Sequence, residues 1–458
     1  MTAQSNPIER PQGPTGIFSW VRRNLFKTPF DGLMTVIVGG VILSGLWSFL
    51  QWAINEARWS VITENFSTLM AGLYPTQESW RVALGLVLLT TLAGVSWGIW
   101  GRMFAATAIT LVVGVILFIL LPAADAATLG GDGFGRYLGE EVIPLFRVLQ
   151  TPVLVLIGSL FVGYWVGRGA KAVQFKVAAR VTMTAWFILV PITFLLVRGL
   201  LPNATVLPFV STNLWGGLLL TFMLAFVAIT ACFPLGILLA IGRASKGPTV
   251  GKLHPPDTWW LQPQWWVRLL YHWWRGLGYY PLIKLFSIGY IELFRGVPLV
   301  TVFFTANLVA GFALGDTQVD AVVRAMIALT LFEAAYIAEI VRGGLQSLPP
   351  GQAEAAKALG LNPILTMLFI TLPQALRTVI PALVGQFITM FKDTSLVAII
   401  GLLDLMGMAN GVIAKPGFTE RKREAFVFVA IVYFVFSYGM SYAARQLEKR
   451  GSGAARRG

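Results

Sequence analysis

The sequence predicts an all-α polytopic membrane protein with about ten transmembrane helices. Three observations carry that expectation. Apolar residues make up 56 % of the 458 residues and charged residues only 12 %, about half the charged share of a soluble globular domain. The 16 Trp and 31 Phe suit lipid and interfacial settings, where large aromatic rings are favoured. Apolar runs of roughly 20 residues, each long enough to cross about 30 Å of hydrocarbon, recur along the whole chain. So few charges cannot cover the surface of soluble domains, which excludes that class.

Residues 1–32 are polar and basic and are expected to form a cytoplasmic tail without a cleavable leader, because the first apolar run, 33–52, is uninterrupted and full-length. An outer loop, 54–81, follows, with Trp59, Phe66, Leu69 and Leu73. It holds the triplet Asn65-Phe66-Ser67, which matches a glycosylation acceptor but is common by chance. Spans are then expected at 82–100 and 103–121, a Gly-rich acidic outer loop at 122–150, and spans at 151–167 and 181–198. These complete an N-terminal block, 33–200. A second block, 211–448, holds spans 215–241, 297–314, 322–341, 376–400 and 424–443, and residues 449–458 form a tail. The run 376–400 contains Lys392-Asp393, so a tilted, broken or re-entrant course is expected there.

The insertion 243–281 carries six tryptophans: Trp259, Trp260, Trp265, Trp266, Trp273 and Trp274. Trp266, Leu269, Leu270, Trp273 and Trp274 recur at helical spacing, with Arg268 and Arg275 between them. That pattern suits a helix lying in the membrane interface. Packing against a neighbouring subunit is the alternative.

The formal net charge is +14. Read residue by residue, it is an orientation signal and not a nucleic-acid footprint. With the N-terminus inside, Lys and Arg concentrate in the cytoplasmic segments while the outer segments carry a slight acidic excess, as the positive-inside rule requires. Both termini are therefore expected in the cytoplasm. Arg421, Lys422 and Arg423 are the exception, flanked by Glu420 and Glu424. The single cysteine, Cys232, makes no internal disulfide. No Cys/His set, His254 and His272 included, has metal-ligand spacing.

The most informative stretch runs from Glu333 to Leu396. Its loop, 346–363, reads Gln-Ser-Leu-Pro-Pro-Gly-Gln-Ala-Glu-Ala-Ala-Lys-Ala-Leu-Gly-Leu-Asn-Pro. Pro350 suits a first helical turn, and Glu354 sits where the helix dipole favours an anion. Gly360 is a natural stop. Asn362 caps a second short helix with Pro363 at its first position, and Leu372-Pro373 is expected to end it. Ala355, Ala356 and Ala358 are small enough for a partner to approach closely.

Glu354-Ala355-Ala356, then Gly360, then Ile370-Thr371-Leu372-Pro373 resembles the EAA loop of ATP-binding-cassette importer permeases. Tyr290 to Leu299, Tyr336 to Gly344, and Lys392-Asp393-Thr394-Ser395-Leu396 resemble the polar-amino-acid subfamily. The extra N-terminal spans, with Tyr74-Pro75 to Trp80-Arg81, resemble its larger permease subunit. The resemblance implies that the C-terminal five spans form a type I importer permease core. It also implies that the segment 343–373 couples to an ATPase through Gln352, Glu354, Ala355, Ala356, Lys357 and Gly360. The implied setting is a bacterial inner membrane, where the chain is a non-enzymatic pore subunit moving an amino acid. The implied partners are two ATP-binding subunits, a second permease expected to be a homologous different chain, and a periplasmic solute-binding protein.

No phosphate-cradling G-x-x-x-x-G-K-[ST] motif occurs, and Gly251-Lys252 is followed by Leu253. ATP and Mg²⁺ are therefore expected in partner subunits, with no cofactor on this chain. Charged groups at membrane depth are costly and mark candidate pathways. Glu333 or Asp393 is expected to meet a substrate ammonium, and Lys392 or backbone donors its carboxylate. Asn307, Tyr336, Thr394 and Ser395 add polar sites. The alternative is that these charges pair with one another to fix the helices. For the chain as a whole, an ion-coupled secondary transporter or channel is the competing reading.

Overall fold

The computed structural model describes residues 17–101, 137–200, 207–244, 280–313 and 319–455, and they are helical with no strand among them. The expected span 103–121 and most of the Trp-rich insertion lie outside the described residues. The chain divides into two compact units: residues 1–59 with 123–144, and residues 60–122 with 145–458.

The first unit contains α1 (Ile17–Leu25) and α2 (Pro29–Asn55). Helix α2 starts at a reciprocal capping box, in which Thr28 accepts from the Asp31 N–H and Asp31 accepts from the Thr28 N–H. That satisfies two donors that a helix start leaves orphaned. Trp59 Nε1 donates to the Tyr137 hydroxyl at 2.6 Å.

The second unit begins with α3 (Ser60–Glu64), α4 (Phe66–Ala71) and α5 (Ser79–Trp100), followed by α6 (Ile143–Arg198). At about 1.5 Å per residue, α6 is far too long for one crossing. Gln174 breaks it with non-helical dihedrals (φ −157°, ψ 93°). Contacts with α5 show what the break does. Thr90 meets Ser159, and Trp97 stacks edge-on against Tyr164 further along, so the first half runs with α5. Trp186 donates to Ser96, while Gly85 faces Thr193, so the second half runs against it. The stretches expected as spans at 151–167 and 181–198 fall in the two halves, one on each side of the break. A Cβ on Gly94, Gly98, Gly163 or Gly167 would sit 2.1–2.3 Å from a backbone oxygen of the facing helix. Lipid tails are as apolar as Leu, so close backbone approach at small residues is what packs helices in a bilayer.

The C-terminal part comprises α7 (Gly217–Ala244), α8 (Tyr280–Gly296), α9 (Leu299–Ala313), α10 (Ala321–Gln346), α11 (Gly351–Ala358), α12 (Pro363–Thr366), α13 (Leu372–Asp393), α14 (Leu405–Ile413) and α15 (Lys422–Ala455). Helices α7 and α10 form the centre. Leu220, Leu224, Ala228 and Cys232 of α7 are buried with Leu329, Ile337 and Val341 of α10. Gly236 lets the pair close against Ile337.

Three expectations change here. The span expected at 297–314 coincides with α9, which covers only Leu299–Ala313, and α8 leads into it across a 108° bend. Pro298 disfavours helical dihedrals at Val297 and brings no N–H of its own, so the helix cannot run through. Residues 282–296, which follow the expected insertion and carry no expected element, are helical as part of α8. Leu372-Pro373 opens a helix instead of ending one. A π-turn, Met367–Thr371, leads from α12 into α13, with the proline in its first turn. Helix α13 then passes into a 3₁₀ turn, Thr394–Ile400.

At the end of the bundle remote from α11, residues 60–81 are seated on the core. Leu73 donates to the Leu214 carbonyl, and Lys415 Nζ donates to Asn65 Oδ1 at 2.8 Å. Asn65 is buried and donates to Val61, so the glycosylation triplet is inaccessible. Gly217 takes φ +58°, and a Cβ there would lie 2.1 Å from the Leu69 carbonyl, so only glycine fits. Arg81 is fully buried, paired with Glu78 at 2.6 Å and donating to Pro208 O. Asp404 caps α14 through the Met406 and Gly407 amides and accepts from the Tyr433 hydroxyl. Burial pushes its carboxyl above the ordinary value, against the pull of those three donors.

Candidate translocation and coupling sites

Helix α10 carries two glutamates in contrasting settings. Glu333 is 0 % exposed. Its Oε2 accepts from Gln386 Nε2 of α13 at 2.9 Å, while Oε1 is buried without a hydrogen-bond partner. A carboxylate oxygen left unpaired away from water is expensive. Glu339, 1.7 turns further on, sits in a cluster of cations. Arg243 of α7 donates to its Oε1 at 2.7 Å. Arg342 grips Oε2 through Nη2 at 2.7 Å and Nε at 3.1 Å, and Arg295 of α8 lies 3.8 Å away. Arg243 also pairs with Glu292 at 3.0 Å. The ends of α7, α8 and α10 nearest the coupling segment are thereby held together by charge.

The other expected pathway residues distribute around this frame. Tyr336 is half-buried, its ring 5.1 Å from Phe332 and 5.9 Å from the Arg295 guanidinium, so it belongs with the cation cluster. Asn307 is half-buried on α9 and its carbonyl accepts from Arg324 at 3.0 Å. Lys392 is exposed and has no ion pair among the described residues; its neighbour Asp393 is half-buried. The adjacent charges therefore do not bridge each other within salt-bridge distance. Thr394 donates to Phe391 and Ser395 to Lys392, so both hydroxyls serve the backbone where α13 ends. Sequence reasoning missed Gln386, Arg243 and Arg324. Their partners lie 17–96 residues away, and no local spacing announces such pairs.

The coupling segment follows α10 directly. Pro350 is the N-cap of α11, Glu354 lies in its first turn, and Gly360 stops it at φ +80°. A side chain in that left-handed conformation is strained. Asn362 caps α12 by accepting from the Leu365 N–H at 2.8 Å. Gln352, Glu354, Ala355, Lys357 and Gly360 are exposed. Ala356 is the exception, at 2 %: its methyl packs into this chain and holds α11 in place, so it is not part of the exposed face. Leu359 is 82 % exposed and Phe369 73 %, with Ile364 and Leu368 also exposed nearby. These side chains make an exposed apolar patch beside α11.

The binding-protein-dependent transport system inner membrane component family matches residues 275–452, which contain both glutamates and the coupling segment. The inner membrane amino-acid ABC transporter permease protein YhdY of Escherichia coli (strain K12) is 30 % identical over 448 residues, 94 % of this chain and 92 % of that protein. The chain belongs to the amino-acid ABC transporter permeases. The glutamate/glutamine/aspartate/asparagine transport system permease protein BztC of Rhodobacter capsulatus is 32 % identical over 475 residues, 97 % of this permease and 96 % of that protein. A solved chain described as "Crystal structure of an amino acid ABC transporter with histidines" aligns at a TM-score of 0.40 and 29 % identity, over 51 % of this permease and 92 % of that chain. The two full-length relatives align through the N-terminal helices as well, so those helices belong to the family's longer form. Family members are membrane-spanning, non-catalytic components, and the permease is a multi-pass inner-membrane protein. An ion-coupled secondary transporter is not favoured.

Proposed function

We propose that this permease is the translocation subunit of an ATP-driven, binding-protein-dependent importer of polar amino acids. The single observation that carries the reading is the exposed coupling segment. Helix α11 is fixed by buried Ala356, and it presents Gln352, Glu354, Lys357 and the apolar Leu359 to Phe369 surface outward. An ATPase subunit in the cytoplasm would dock there, and its closure would move α10 and α13, which the segment joins. ATP and Mg²⁺ would sit on two such subunits. A second, homologous permease chain would complete the pathway, and a periplasmic solute-binding protein would deliver substrate. Both termini would lie in the cytoplasm.

Within the pathway, Glu333 would meet the substrate ammonium, and Lys392 or backbone donors its carboxylate, with Asp393 alongside. The unpartnered Glu333 Oε1 supports this assignment. The competing role, a purely structural one for Glu333 through Gln386, has the 2.9 Å hydrogen bond in its favour.

The test is reconstitution of the permease with an ATPase, a second permease and a solute-binding protein from the same organism. ATP-dependent uptake of a polar amino acid is expected. Glu354→Lys and Gly360→Asp should lower uptake at least about tenfold while ATP hydrolysis persists or the ATPase dissociates, because one reverses charge at the docking helix and the other strains its stop. Full uptake in both variants overturns the coupling role. Glu333→Gln and Lys392→Met complexes that assemble and keep an unchanged substrate affinity remove those residues as contacts.

A further inference from the structure

Helices α6, α7 and α13 border a cavity of about 260 Å³. Its walls are Trp186 and Phe187 from α6, Phe226 and Phe233 from α7, and Phe387 from α13. The polar atoms in this lining are already engaged: Trp186 Nε1 donates to Ser96, and the Thr230 hydroxyl donates to Phe226 O. The space is many times the ~30 Å³ share of one water, yet it offers water no free partners, and apolar cavities of this kind stay dry. An apolar side opening of this volume suits a slender apolar chain. Phe187 is 50 % exposed at the mouth, so the cavity communicates with the side of the bundle.

A stripe on α6 leads from that mouth toward charge. Phe187, Met183, Arg180 and Lys176 are spaced four, three and four residues apart and share one helix face. Arg180 lies about 10 Å from Phe187 along the axis. Lys176 and Arg180 are exposed, and neither has an ion-pair partner among the described residues. Both lie at the end of the bundle that carries Arg243 and the coupling segment, since the other end of this half-helix, at Val197, meets Tyr74 beside the seated loop. Basic side chains at a helix end beside an apolar groove match the two halves of an anionic phospholipid.

We propose that an anionic phospholipid of this leaflet occupies the groove. One acyl chain lies between α6, α7 and α13, and the phosphate rests on Lys176 and Arg180. The lipid then acts as mortar between the α6 half-helix that follows Gln174 and the permease core. It gives the N-terminal helices a physical role that the coupling segment does not supply.

The experiment places a photoreactive benzoylphenylalanine at Phe187 in the complete complex, irradiates it in native membranes, and reads adduct masses. Phospholipid adducts enriched in acidic headgroups relative to the bulk membrane are expected. Lys176→Gln combined with Arg180→Gln should lower the acidic-to-neutral headgroup ratio of those adducts about tenfold or to its bulk value, since each cation near an anionic headgroup contributes substantially. Lys176→Arg with Arg180→Lys should restore it. The ratio is taken within one sample, so a poorly expressed variant still gives a reading. A protein–protein cross-link at Phe187, parent lipid adducts with the bulk headgroup composition, or a ratio unchanged by the double substitution overturns the proposal.

Discussion

Glu333 and Glu339 lie six residues apart on one helix and solve the same electrostatic problem in opposite ways. Glu339, with its side chain 14 % exposed, gathers three arginines from three helices. Glu333 is fully buried and has one amide donor. Separating a largely buried ion pair leaves uncompensated charge and costs about 3–5 kcal/mol in full burial, so the Glu339 cluster reads as structural fastening. A lone buried carboxylate with a vacant oxygen does little for stability, and the proposed pathway role would account for it. The contrast sets a residue fastened by charge against one that is not.

That contrast can be broken in graded steps. Glu339→Lys puts a fourth cation among Arg243, Arg295 and Arg342, and the yield of assembled complex should fall at least about tenfold, since like charges at this range repel strongly. Glu339→Gln keeps the shape but removes the anion. Because the site is partly wetted, the expected loss is about 2 kcal/mol, seen as a lower thermal midpoint in detergent. Gln386→Leu removes the only donor to Glu333 among the described residues and should cost about 1–3 kcal/mol. Glu333→Gln relieves a buried charge while keeping a polar partner for Gln386, so stability should stay within about 1 kcal/mol of the parent or rise. If Glu333→Gln destabilises more than Glu339→Gln, the assignment of roles is reversed.

Much of the coupling segment was legible because its signals are local. Gly360, Asn362 and Pro363 act through their own backbone neighbours and sit where capping rules place them, and Pro350 lies one position earlier, at the N-cap of α11. The bend at Val297-Pro298 was present in the sequence as a proline, but the apolar run across it masked its meaning. Leu372-Pro373 misled for a related reason. A proline is compatible with a helix start as well as a stop, and only the π-turn before it decides which. Ala356 shows the limit of composition: three small residues look alike in sequence, and one of them faces inward.

The sequence by itself determined the all-α membrane class of this protein and the capping pattern of its coupling segment. Those follow from composition, run length and residues within one or two helical turns of one another. Tertiary structure alone decided that Arg243 joins Arg295 and Arg342 on Glu339, that Gln386 holds Glu333, and that α6 folds back along α5 at Gln174. Each of these depends on groups far apart in the chain meeting at 2.7–3.8 Å. The energy of such a meeting belongs to the pair, and no local pattern of one partner carries it.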